Sequence, residues 1–100
     1  MSDKHFLLMY NLSADYPARR QNFRAAHLTL AQAAVERGEL ILGGAVQDPI
    51  DLAVLLFKGP TPAAAAAFAA ADPYVRAGLV TAWRVRAWAT TIGPDALTKV

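Results

Sequence analysis

One hundred residues, 55% of them hydrophobic and 18% charged, suit a single globular domain with one core. The net charge of +2 comes without a basic run, so no nucleic-acid partner is expected, and Arg19 and Arg20 read as part of a solvated helix face. The absence of cysteine excludes disulfides, thiolate nucleophiles and cysteine-ligated zinc. The run Phe6-Leu7-Leu8-Met9 is too short for a signal-peptide core, and no charge-free apolar stretch reaches the length of a membrane span. A soluble, cytoplasmic protein with no membrane partner is the expectation.

In chain order, His5 to Asn11 reads as a short buried strand followed by a polar turn. Asp15 can cap the next element, with Pro17 in its first turn, where a missing N–H costs least. The helical period runs to about Arg37, and Gly38 is a natural residue to end it. Glu39 to Val46 is a second strand carrying Gly43-Gly44. Asp48-Pro49-Ile50-Asp51 turns the chain into a third strand, Leu52 to Lys58. Thr61-Pro62 opens a second helix that carries an alanine run through Ala71, with Phe68 as its large anchor. Asp72-Pro73-Tyr74 stops it, because the residue before proline is pushed out of the helical region. Val75 to Gly78 is a tight link, and Thr81 to Thr91 is the last strand.

The order β-α-β-β-α-β predicts an α+β, ferredoxin-like domain over residues 1–100, a four-stranded antiparallel sheet with two helices on one face. In the third strand Leu52, Val54 and Leu56 alternate with Ala53, Leu55 and Phe57, so both faces are apolar; the first strand behaves alike. Two helices cover one face, and an uncovered face is normally polar. A second copy covering it by sheet-on-sheet packing, in a symmetric homodimer or a larger assembly of such dimers, is therefore expected.

His27 is the most informative side chain. Phe23, His27, Leu30 and Ala34 share one helix face, and a histidine on that apolar stripe must find a hydrogen-bond partner. Asp72, at the end of the second helix, is the obvious one. Such a pair would be an oriented general base. Equally, Asp72 can simply stop its helix, with His27 a satisfied core histidine. Gly43-Gly44 within an apolar strand marks either a packing bulge or the close approach of a ligand. Arg24, one turn before His27, can meet a substrate carboxylate or lie solvated. Tyr10, Tyr74 and Trp83 can line a pocket or serve as core and interface contacts. Arg84 and Arg86 share a strand face with Trp88 and fit edge protection, an interface or an anion site alike. No metal is expected, since His5 and His27 are the sole imidazoles and no carboxylate cluster accompanies them.

Three segments together, Arg24-Ala25-Ala26-His27-Leu28, Gly38-Glu39-Leu40 with Gly43-Gly44, and Ala71-Asp72-Pro73-Tyr74-Val75-Arg76-Ala77-Gly78, resemble the YciI-like proteins of the dimeric α+β barrel superfamily. The resemblance spans about Lys4 to Ile92. It implies protomers paired through their sheets and an active site that carries over onto His27 and Asp72. Many relatives have Ala-Gly-Pro where this chain has Gly43-Gly44-Ala45, so the pocket wall here differs. Some relatives are lyases or isomerases of small cyclic compounds, among them a dehydrochlorinase of chlorinated aromatic breakdown and muconolactone isomerase. The expectation is a cofactor-independent lyase or isomerase in which His27 takes a proton from carbon, Asp72 orients the imidazole, and Arg24 or the backbone at Gly43-Gly44 holds the oxyanion. The alternatives are a non-catalytic module that binds a small molecule, and a purely structural pair.

Overall fold

Residues 2–99 are described by a computed structural model. Four strands, β1 (Lys4–Leu12), β2 (Leu40–Val46), β3 (Leu52–Gly59) and β4 (Val80–Trp88), form one sheet in the order β2-β3-β1-β4, with every neighbouring pair antiparallel. The helices are α1 (Tyr16–Arg19), α2 (Arg24–Glu36), α3 (Ala63–Ala71) and α4 (Pro73–Arg76), with a 3-10 turn at Arg20–Asn22 between the first two. This is the ferredoxin-like arrangement.

Strand alternation decides what each face does. Phe6, Leu8 and Tyr10 of β1 and Ala53, Leu55 and Phe57 of β3 are buried in one cluster with Ala34 of α2 and Ala65, Phe68 and Ala69 of α3. Alanine lets α3 approach the sheet closely, and Phe68 fills the remaining gap, its ring centroid 5.4 Å from that of Phe57. Burying a side chain of that size contributes roughly 1.5–3 kcal/mol. The partners of opposite parity, Leu7, Met9, Leu42, Val46, Val54 and Leu56, lie on the other face, with Leu42 70% and Val46 46% exposed. Arg84, Arg86 and Trp88 pair with Met9, Leu7 and His5 and therefore share that open face.

The structure departs from the expected elements in three places. The long first helix is broken at Phe23, whose backbone (φ −120°, ψ −3°) is not helical. Tertiary contacts hold the first turn elsewhere: Tyr16 packs edge-on against Tyr74 with centroids 5.5 Å apart, and Arg19 donates to the Ala77 carbonyl at 3.2 Å. The link after Asp72 is a short helix, α4. The last strand ends at Trp88, and the chain beyond it turns back, with Thr90 Oγ1 meeting His5 Nδ1 at 2.8 Å and accepting from the Leu97 N–H at 2.9 Å.

Candidate active site

Asp72 owes its position to Pro73. The proline forces Asp72 into an extended conformation (φ −68°, ψ 123°), so α3 stops there and α4 starts immediately. As the residue capping α4, Asp72 accepts the Tyr74 N–H on Oδ1 at 3.0 Å. The same oxygen lies 2.9 Å from His27 Nδ1, brought in by α2, and Oδ2 accepts the Tyr10 hydroxyl of β1 at 2.8 Å. Asp72 is fully buried, while the His27 side chain keeps 16% of its surface exposed. Three donors thus surround a carboxylate that can only accept, which assigns the Nδ1 proton to the histidine and leaves Nε2 as the basic nitrogen. Nε2 makes no hydrogen bond among the described residues and is not sealed from solvent.

The imidazole plane is fixed as well. It stacks on Tyr74 at 4.1 Å with the rings 14° apart, and meets Phe68 edge-on at 6.2 Å. Burial, first of all, raises the Tyr10 phenol far above the ordinary tyrosine value, and the neighbouring Asp72 charge adds to it. Tyr10 therefore keeps its proton, and its role as donor to Asp72, above the pH at which an ordinary phenol ionises.

His27 opens onto a cleft of about 520 Å³ between α2 and β2. Arg24, Tyr10, Tyr74, Gly43 and Gly44 all line it, with Leu28, Val35 and Leu55 as apolar wall. The two glycines differ. A Cβ on Gly43 would press on Leu55 Cγ at 3.3 Å, whereas a Cβ on Gly44 would meet nothing within 4 Å. Gly43 thus keeps the wall open next to Leu55. Trp83 lies outside the cleft, and Arg84 and Arg86 stand on the opposite face of the sheet. Sequence reasoning missed two lining residues, Tyr16 and Arg20, because the break at Phe23 turns the first helical segment over the cleft. It also missed that Tyr10 is a partner of Asp72. The signal was available: Tyr10 shares parity with buried Phe6 and Leu8, and a buried phenol needs an acceptor. Among the described residues no group of three or more His, Asp or Glu side chains is placed to hold a metal ion, and no helix is long and apolar enough to cross a membrane.

The profile of the YCII-related domain matches residues 4–89. The chain belongs to this family. No curated protein sequence matches it. Among solved structures, this YCII-related chain is similar to 5-chloro-2-hydroxyhydroquinone dehydrochlorinase (TftG) from Burkholderia phenoliruptrix AC1100, solved with 2,5-dihydroxybenzoquinone. The TM-score is 0.71 and the identity 20%, over 86% of this chain and 94% of that one. It is also similar to a candidate antibiotic biosynthesis monooxygenase from Bacteriodes thetaiotaomicron VPI-5482, at a TM-score of 0.61 and 12% identity over 96% of both chains. At these identities the likeness is one of fold.

The Tyr10–Asp72 bond yields a first expected result. Tyr10→Phe leaves Oδ2 without its donor and should lower stability by about 1–3 kcal/mol. The folded chain holds this phenol's proton more tightly than the unfolded chain does. Its contribution is therefore intact below the ordinary tyrosine value near pH ~10 and falls as pH rises beyond it, by about 1.4 kcal/mol per pH unit. Tyr74 is shifted the same way, mainly by burial, so Tyr10→Phe should flatten the alkaline decline without abolishing it. Urea unfolding at several alkaline pH values reads this out; parallel curves for the two proteins would refute it.

Proposed function

We propose that this chain is a cofactor-independent lyase or isomerase acting on a small cyclic or carbonyl compound. The observation that carries the reading is the 2.9 Å bond between His27 Nδ1 and fully buried Asp72, which leaves Nε2 facing an apolar cleft. In the proposed reaction Nε2 takes a proton from carbon next to a carbonyl, and the electron pair moves to the carbonyl oxygen as an enolate. Asp72 stabilises the imidazolium through Nδ1–H. Arg24 or the β2 backbone by Gly43 and Gly44 meets the oxyanion. The enolate then expels a leaving group from the adjacent carbon, or takes the proton back at another position. The likeness to a dehydrochlorinase supports the first outcome as the one to examine first.

Carbon-acid chemistry can be tested before the product is known. Hydroxylated quinones, lactones and cyclic ketones incubated with the protein in D2O should exchange a carbon-bound proton, read by NMR. His27→Ala should slow exchange by about 100-fold or more. Exchange that survives this substitution would refute the base assignment. The fold should survive it, because Asp72 keeps the Tyr10 hydroxyl and the Tyr74 N–H.

The same reading makes the chain a homodimer paired through its open sheet faces. The support is the apolar row Leu7, Met9, Leu42, Val46, Val54 and Leu56 on the face that no helix covers.

A further inference from the structure

The charged side chains that line the cleft beside His27 are both cations. Arg20, Arg24, Tyr16, Tyr74 and His27 all line it, and no Asp or Glu does. The three ion pairs among the described residues engage Arg19, His27 and Arg37, so neither Arg20 nor Arg24 has a carboxylate partner there. The hydroxyls of Tyr16 and Tyr74 make no hydrogen bond among the described residues, and neither is sealed from solvent. Arg20 lies with its guanidinium 5.8 Å from the ring centroid of Tyr16, a second lining residue of the cleft. Both guanidinium charges oppose the upward push of burial on the Tyr74 phenol.

Folding alone does not explain this arrangement. Arg24 is the first residue of α2, which has no acidic residue in its first turn and no side-chain cap. The amino end of a helix is its positive end, where a cation is unfavourable and an anion favourable. A local rule broken in this way, beside a cleft, suits a functional site.

The geometry points to Arg20 and Arg24 as a two-arginine clamp for the anionic group of a planar ring compound, a carboxylate or an ionised enol. The ring would lie against the apolar wall of Leu28, Val35 and Leu55, with its charge at the mouth and its reacting carbon inward at His27. This rests on the base reading above and adds the substrate's charge and shape to it. Guanidinium forks suit planar oxyanions better than any other side chain, and two of them fix the ring's orientation as well as its affinity.

The test compares benzoate with benzamide, a neutral ring of nearly the same shape, by NMR titration of the 15N-labelled chain. Benzoate should shift the resonances of His27 and Tyr74 and bind about tenfold more tightly than benzamide. Arg20→Gln and Arg24→Gln should each remove most of that preference and leave benzamide unchanged. Unliganded Arg24→Gln should also melt slightly higher than the wild type, because the helix end loses an unfavourable cation. Equal binding of the two probes, no shift of any cleft residue by benzoate, or a preference that survives both substitutions would overturn the clamp. If the preference survives both substitutions while His27→Ala abolishes carbon-proton exchange, the base stands and the clamp falls. If the preference responds but exchange survives His27→Ala, the clamp stands and the base falls.

Discussion

Asp72→Asn should slow carbon-proton exchange by about 100- to 1,000-fold while leaving the chain folded. The amide has one oxygen where the carboxylate had two. The Tyr74 N–H, donating to Oδ1 at 3.0 Å, forces that oxygen to stay between itself and His27. The new NH2 then faces Tyr10, whose hydroxyl can rotate and accept, although its own proton loses an acceptor. His27 keeps its tautomer, but the negative charge that stabilises the imidazolium is gone. Stability should fall by about 1–3 kcal/mol, roughly 4–8 °C for each kcal/mol in a chain of this size. Asp72→Ala is different in kind, because it strands all three donors in the core. A melting loss for Asp72→Asn with exchange undiminished would make Asp72 a cap alone and remove the dyad.

The second large effect concerns the open face. Val54→Lys should change the species in solution from twice the chain mass to the chain mass, measured by light scattering after gel filtration. Val54 lies on a central strand, paired with Met9 on one side and Gly44 on the other. In a lone protomer a lysine there extends into water at little cost. Between two sheets its ammonium is desolvated without a partner, which costs several kcal/mol. The face offers no relief, since the strand positions on it include Arg84, Arg86 and Lys58 but no Asp or Glu. A wild type of single chain mass would sink the pairing outright, and a dimer that tolerates the lysine would place the interface elsewhere.

Much of this architecture was legible in the sequence, for definite reasons. The strands announced themselves through period-two alternation, and Pro73 and Gly38 marked helix ends with little ambiguity. His27 stood out because its position in the helical period conflicted with its polarity, and Asp72 because a proline followed it. The break at Phe23 was not legible. No proline or glycine lies in Arg19-Arg20-Gln21-Asn22-Phe23, and what holds the first turn is Tyr74 and the Ala77 carbonyl, more than fifty residues away. Arg20 consequently read as a solvated residue, although it lines the cleft. The Tyr10 bond to Asp72 spans 62 positions: strand parity marks Tyr10 as a buried phenol in need of an acceptor, but no local pattern says which acceptor it meets. The open sheet face is a third case: its apolar character is plain in the sequence, while what covers it is a property of two chains.

One carboxylate joins a strand, two helices and the start of a third. Oδ1 and Oδ2 of Asp72 hold groups from β1, α2 and α4, and its backbone ends α3. Displacing that carboxylate therefore means releasing the hydroxyl of a central strand and the first turn of a helix at once, whereas the imidazole adds one hydrogen bond and its stack on Tyr74. Sites built on mobile loops lose alignment well below the temperature at which their cores melt, because local opening is cheaper than global opening. Asp72 is not on such a loop, and its anchors are core groups. On warming, the carboxylate should hold its place up to the cooperative transition and lose it there in one step, and on cooling it should return with the fold.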